Sequence, residues 1–386
     1  MDITTTDVRA GKEDAGTAAV PRRRPSAGFA GRRWLPALLV VLAVVVPIAG
    51  GKAGLISNYW FLQLNLMMMF AIAVLGLDLV TGFNGQISLG HGAFMCIGAY
   101  VAAILIARFG WPYWATFPVV AVVCFGTGYL FGLPALRLEG HYLALATFAL
   151  AIAVPQMLKY QHIEDLTGGV QGIDLRSVKA PFALPLTSDQ WLYLVVLAVA
   201  VVMFWMVHNL LNSRTGRALT AIRDHPVAAA AMGINLAQYK AVTFGISALI
   251  TGVAGGLYAL ISAGVAPDGF QFQLSITLLV GMVVGGVASL PGAVLGGVFV
   301  QVIDKYADAM TRELTATLHL PIEIEPWTVY GVVLIALVYL MPTGIAGGVG
   351  RLAARRRAAS GRGPLPAARS DPEYQQKIQQ EETSHA

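Results

Sequence analysis

The sequence predicts an all-α, polytopic membrane protein of about ten hydrophobic helical segments, some of them short or broken, with both termini cytoplasmic. Three observations lead there. Of 386 residues, 56% are hydrophobic and only 12% charged, against about 45–50% and about 25% in an ordinary soluble protein. The 26 basic and 21 acidic residues are also unevenly spread, since residues 1–33 hold 11 of them and residues 351–386 another 11. The middle is thus too poor in charge to clothe a water-exposed surface. Finally, the apolar stretches are continuous runs without period-two alternation, so they read as helices rather than barrel strands.

In order, the apolar windows fall at 34–50, 61–80, 91–107, 113–133, 142–158, 191–211, 241–263, 273–290, 291–303 and 327–340. With the N-terminus inside, the alternating loops place 19 of the 26 Lys and Arg in the cytoplasm, as the positive-inside rule requires. Reading 273–303 as one helix would carry the tail with Arg351, Arg355, Arg356 and Arg357 outside. A pair of short pieces turning at Ser289-Leu290-Pro291-Gly292 keeps it inside, and the pair is therefore expected. The chain divides into a basic cytoplasmic head over 1–33, a transmembrane domain over 34–345 with a cytoplasmic loop at 212–240, and a tail over 346–386. Head and tail have the composition of disordered segments. An alternative for the first window is a cleaved export signal, since Arg32-Arg33 precedes an apolar run that ends in small residues.

Several chemistries are missing. No G-x-x-x-x-G-K-[ST] loop exists, because Lys12 is followed by Glu13 and Lys52 by Ala53, so any ATP must be hydrolysed by another chain. There is no H-E-x-x-H or C-x-x-C, and Cys96 and Cys124 both lie in apolar runs; no catalytic residue, metal site or bound cofactor is expected. Asp78 is the clearest acidic residue within a span, whereas a proton-coupled transporter needs ionisable groups at membrane depth. The energy source is expected to be external.

Three segments carry more information. Residues 81–94 set Gly82, Gly85, Gly90 and Gly92 beside Asn84, Gln86, Ser88 and His91. Non-helical backbone at membrane depth persists only where it packs in protein or lines a cavity. The segment reads either as the border of a path or as close helix packing with interhelical hydrogen bonds. A second cluster, Gly281, Gly285, Gly286, Gly292, Gly296 and Gly297, has small-x-x-x-small spacing and the same two readings. The third is the loop at 212–240. Its pieces Arg217–Ile222 and Val227–Met232 are helix-forming, with Pro226 placed for a start and Gly233 for a stop. Ala218, Ile222, Ala229 and Met232 suggest a face that docks on a partner, with Arg217, Arg223 and Asp224 fixing register. A helix lying on lipid is the alternative.

Together these residues resemble the branched-chain amino-acid ABC importer permeases, in particular the LivM-like subunits. The matching pieces are Gly85-Gln-Ile-Ser-Leu-Gly-His-Gly-Ala-Phe, Leu136-Arg-Leu-Glu-Gly-His-Tyr-Leu-Ala-Leu-Ala-Thr, Leu166-Thr-Gly-Gly-Val-Gln-Gly, Gly216-Arg-Ala-Leu-Thr-Ala-Ile-Arg-Asp through Gly233-Ile-Asn, and 279–297. They lie in order over residues 61–345. The resemblance implies a multi-pass protein of the bacterial cytoplasmic membrane that forms a path with a second, LivH-like permease. It also implies two ATPase subunits that consume the ATP, and an extracytoplasmic solute-binding protein; nucleic acid is not an expected partner. Residues 217–235 would be the ATPase-coupling loop, with Gly216, Arg217, Arg223, Asp224, Ala229 and Gly233 in contact or support. The loop departs from a strict Glu-Ala-Ala pattern in having Asp224-His225-Pro226 before its alanines. The pairing of polar residues with glycines, rather than the resemblance, leads to the expectation that Asn84, Gln86, Ser88, Gly90 and His91 border the substrate path, with Thr167, Gly168 and Gly169 at its outer mouth. A urea or short-chain amide permease has the same architecture. A stand-alone secondary transporter, and an enzyme using His91, Glu139 and His141, are the readings from other classes.

Overall fold

The computed structural model describes residues 57–135, 141–175 and 187–318, with a few isolated positions on either side. Every element below belongs to the unit Pro47–Ala386. The windows at 34–50 and 327–340, the head and nearly all of the tail lie outside the described residues.

Helix α1, Asn58–Asp78, is apolar around its circumference and ends in a π-helical turn, Leu79–Phe83. A non-helical stretch leads to α2, His91–Ala107, then α3, Tyr113–Ala135, and α4, His141–Leu158. A short helix α5, Glu164–Thr167, and a two-residue strand β1, Ile173–Asp174, precede α6, Ser188–Asn212. Thr187 and Gln190 close a capping box at the start of α6, satisfying N–H groups that the helix itself leaves unpaired. Helices α7, Arg214–Asp224, and α8, Pro226–Ala231, form the predicted loop, and α9 runs over Leu236–Ile261. Strand β2, Gly264–Val265, and a 3₁₀ turn, Pro267–Phe270, lead into α10, Phe272–Gly285, and α11, Leu290–Leu318. Five of these helices are long and apolar enough to cross a membrane.

Two boundaries differ from expectation. The break between α10 and α11 lies at Gly286–Ser289 rather than at 289–292, because Gly286 and Ala288 take positive φ while Pro291 is already helical. Proline is tolerated in a first helical turn, where its missing N–H would be unpaired anyway. Helix α11 also continues to Leu318 instead of stopping near 303. An apolar window ends at the first charges, but Asp, Lys and Glu do not end a helix that leaves the apolar zone.

Helices α1 and α9 form the centre. Helix α9 packs on α1, α2 and α3, while α11 packs on α1 and α10. Small residues permit the closest crossings: a Cβ on Gly98 would lie 2.0 Å from the Gly252 carbonyl oxygen, so α2 and α9 touch backbone to backbone. Contacts also fix which helix ends share a side. The Asp78 end of α1 touches Ala288 and Ser289, while Lys305 of α11 lies over the rings of Tyr59 and Trp60 at the other end of α1. That second side carries Tyr59, Trp60, Phe109, Trp111, Trp114 and Tyr160, all exposed, and a hydrogen bond from Trp191 Nε1 to Tyr113 Oη. Such an aromatic belt belongs at a membrane–water boundary. Strands β1 and β2 pair antiparallel there, Ile173 opposite Val265, a small addition to an otherwise helical fold.

Candidate functional site

The stretch from Asn84 to His91 holds a buried polar seam. Ser88, His91 and Asn84 are fully buried and Gln86 nearly so. Ser247 Oγ touches both His91 Nε2, at 2.6 Å, and the Gly76 carbonyl oxygen, at 2.5 Å. A carbonyl only accepts, so the single Ser247 proton goes to Gly76 and His91 donates from Nε2. His91 Nδ1 is then the acceptor for Ser88 Oγ at 2.9 Å. This chain ties the start of α2 to α9 and α1, with Phe94 and Phe244 packed around the imidazole. The Gly92 amide donates to Ser275 Oγ of α10, and the Leu89 amide to Thr147 Oγ1 of α4. Asn84 Nδ2 donates to Gln86 Oε1 at 2.8 Å, and Asn84 Oδ1 has no partner among the described residues.

The backbone from Asn84 to Gly90 is non-helical, with Gly85 and Ile87 exposed and Asn84, Gln86, Ser88 and Gly90 buried; Asn84 bonds Gln86 and Ser88 bonds His91 within the segment, while the His91 side chain and the Leu89 and Gly92 amides bond neighbouring helices. Gly90 backs directly onto α4: a Cβ there would lie 2.6 Å from the Thr147 carbonyl oxygen. A bulky residue at 90 would therefore displace α4. Thr167, Gly168 and Gly169 do not join the seam. Thr167 Oγ1 donates to the Leu158 carbonyl at the far end of α4, and the helical rise between Thr147 and Leu158 is about 16 Å. Gly168 and Gly169 have positive φ, and a Cβ on Gly168 would lie 1.8 Å from the Gly172 carbonyl oxygen. This motif builds the turn that carries β1.

The loop at 212–240 folds as two helices, with Pro226 opening α8 and Gly233, at φ +84°, following it. Its faces differ from the predicted docking face. Gly216, Ala218 and Ile222 are buried against the protein itself, because α7 packs on α6 and α9 and its apolar stripe is used there, and Ala229 is buried where α8 packs on α7 and α9. Of the predicted face only Met232 turns outward, beside Val227, each more than four-fifths exposed, with Arg217, His225, Ala228 and Gly233. Arg223 bonds Asp224 through Nε and reaches back to the Gly82 carbonyl through Nη1 at 3.1 Å. Asp78, seen in the sequence only as a buried acid, accepts the amides of Ala288 and Ser289. Sequence reasoning missed Thr147, Ser247 and Ser275. The available signal was the presence of hydroxyls on apolar helices, but their partners are remote in the chain.

The chain matches the family model described as branched-chain amino acid transport system / permease component over residues 59–341. It is 31% identical over 287 residues to the high-affinity branched-chain amino acid transport system permease protein LivM of Escherichia coli K12, covering 68% of this chain and 66% of LivM. Salmonella typhimurium LivM is 32% identical over 261 residues, covering 62% of this chain and 61% of the relative. LivH of Escherichia coli K12 is 27% identical over 297 residues, covering 72% and 91%. The chain thus spans slightly less than two thirds of the length of these LivM relatives, and no solved structure matches it. The matched region contains the seam, the α7–α8 loop and the α10–α11 break, and the chain belongs to the family of branched-chain amino-acid transport system permease components.

Proposed function

We propose that this chain is a transmembrane permease subunit of an ATP-driven importer for branched-chain amino acids. It forms the path with a second, related permease. Family membership carries the proposal, and the α7–α8 hairpin supports it: the chain has no nucleotide loop, while Val227 of α8 and Met232 just after it face outward from a well-anchored base. An apolar surface on a short, fixed helix suits docking in a groove. In this reading two ATPases bind at that surface and hydrolyse the ATP, and a solute-binding protein delivers the cargo to the opposite side.

The orientation follows the basic split, with the α7–α8 loop and both termini cytoplasmic and β1 outside, in a bacterial cytoplasmic membrane. The aromatic belt on the β1 side agrees with a boundary there. Cysteine labelling from outside should modify position 174 and spare position 224; the reverse pattern overturns the orientation.

Substrate chemistry here is binding and gating, and an interaction helps transport only if it differs between outward- and inward-facing states. The polar seam is assigned to the border of the path in its closed form. Replacing Val227 and Met232 by Asp, or Gly233 by a large residue, should reduce ATPase co-purification and uptake of leucine into vesicles, while capture by the binding protein is unchanged. Full ATPase recovery with normal uptake in these variants would remove the docking assignment.

A further inference from the structure

Three contacts converge on the turn that ends α1. The Asp78 carboxylate accepts the Ala288 amide at 2.7 Å and the Ser289 amide at 3.0 Å, fastening the break between α10 and α11 to α1. One helical turn further on, the Gly82 carbonyl oxygen accepts Arg223 Nη1 of α7 at 3.1 Å. Two glycines of the first motif make room for this arrangement. A Cβ on Gly82 would lie 2.1 Å from Asp78 Oδ1 and 2.7 Å from the Ala288 nitrogen; one on Gly85 would lie 2.9 Å from Arg223 Cγ. The turn itself is the π-helical Leu79–Phe83, a form that departs from the regular α-helical ladder and recurs at functional positions. Ala288, at φ +57°, holds a conformation unfavourable for a residue with a side chain, of the kind that persists where the surroundings dictate it.

We propose that this turn is a transmission joint, in which Arg223 and Asp78 are positioning residues that make the α10–α11 break follow the movement of α7. The assignment rests on the reading of α7–α8 as the ATPase-facing loop, and it changes the part Arg223 plays in it. Arg223 pulls on the permease's own backbone rather than marking register on the ATPase. Two features favour a stiff link. Both attachments end on backbone atoms, so neither is lengthened by a second flexible side chain. They also lie one turn apart on a continuous stretch, so displacing Gly82 displaces Asp78, and with it the start of α11. Helix α11 packs along α1 and α10, so its start is where a small shift at the loop enters the transmembrane bundle.

The test uses the assembled importer, with both permeases, the ATPases and the binding protein, reconstituted in vesicles. Leucine uptake and ATP hydrolysis are measured together for the wild type, Arg223→Ala, Asp78→Asn and the double variant. The expected result is ATPase retention and hydrolysis close to wild type, with uptake per ATP reduced about tenfold in each single variant. The double variant should be no worse than the weaker single one, because both act through one joint. Unchanged uptake per ATP in Arg223→Ala overturns the joint, and so does loss of ATPase retention, which would place Arg223 at the ATPase surface. A multiplicative loss in the double variant also overturns it. Should Asp78→Asn fail to accumulate, Gly85→Ala takes its place, since it displaces the Arg223 stem from the same turn; the same non-additivity with Arg223→Ala is expected. A wild-type assembly without ATP-driven leucine uptake would instead overturn the importer assignment.

Discussion

The two ends of the bundle are fastened by different chemistry. At the α7–α8 end, a buried carboxylate accepts two backbone amides and an arginine reaches a backbone carbonyl. At the aromatic end, an exposed ion pair between Lys159 and Asp268 links α4 to the Pro267–Phe270 turn, and β1 pairs with β2 over only two residues. Water is kept from the Asp78 carboxylate at the first end, although Arg223 is exposed, and it competes freely for Asp268 at the second. The first is therefore built to keep its geometry, and the second to hold a cap that solvent and salt can loosen.

The largest expected effect comes from breaking the buried end. Asp78→Ala leaves the Ala288 and Ser289 amides without their acceptor, at a cost of about 1–3 kcal/mol for each group left unpaired. Thermal unfolding of the purified permease in detergent should show it, and a melting point equal to wild type would mean that water replaces the carboxylate.

A smaller loss is expected at the other end from Gly172→Ala. Gly172 has φ +80°, and a Cβ there would lie 2.0 Å from the Val265 carbonyl oxygen. The strain of about 1–3 kcal/mol should fall on the β1–β2 pairing and its turn. Limited proteolysis between residues 163 and 175 should speed up while the midpoint of global unfolding moves little. A global shift as large as that of Asp78→Ala would erase the contrast between the two ends.

The smallest effect concerns the ion pair. The hydrogen bond from Lys159, with its charge, holds the Asp268 carboxyl below the usual carboxylate value, and Gln271 adds to this. A lowered folded pKa means that the contribution is fully present above the unfolded value near ~4, and is lost as pH falls through the lower folded value. Proteolysis of the cap should thus be flat from neutral pH to about 4 and rise below it. High salt should raise it modestly at neutral pH, and Lys159→Ala should abolish both dependences.

The contrast between central and peripheral helices bears on what was legible in the sequence. The central α1 and α9 have 67% and 78% of their most apolar windows buried in protein, while α6 has 17%. All three read alike as apolar runs, because lipid and protein interior are nearly equivalent to an apolar side chain. Hydropathy therefore located the helices 58–83, 113–133, 141–158, 188–212 and 236–261 to within a few residues. It had no means of ranking them from centre to edge. The α7–α8 loop shows the same division more finely. Pro226 and Gly233 mark a helix start and stop by local backbone chemistry, and the structure places them so. Which face of that loop turns outward depends on α6 and α9 beneath it. For this reason Ala218, Ile222 and Ala229 are buried while Val227 and Met232 are free.

Sequence by itself determined the helical membrane class, the family, most of the spans and the glycine-rich places where backbone comes close to backbone, since each depends on composition or on neighbours in the chain. Tertiary structure alone decided the partners of the buried polar groups. Asp78 meets Ala288 and Ser289, His91 meets Ser247, and Arg223 meets Gly82 across separations that no local pattern encodes. The physical reason is that an unpaired polar group in an apolar interior is costly enough to require a partner. That requirement says a bond must form, and only the packing of the helices says with whom.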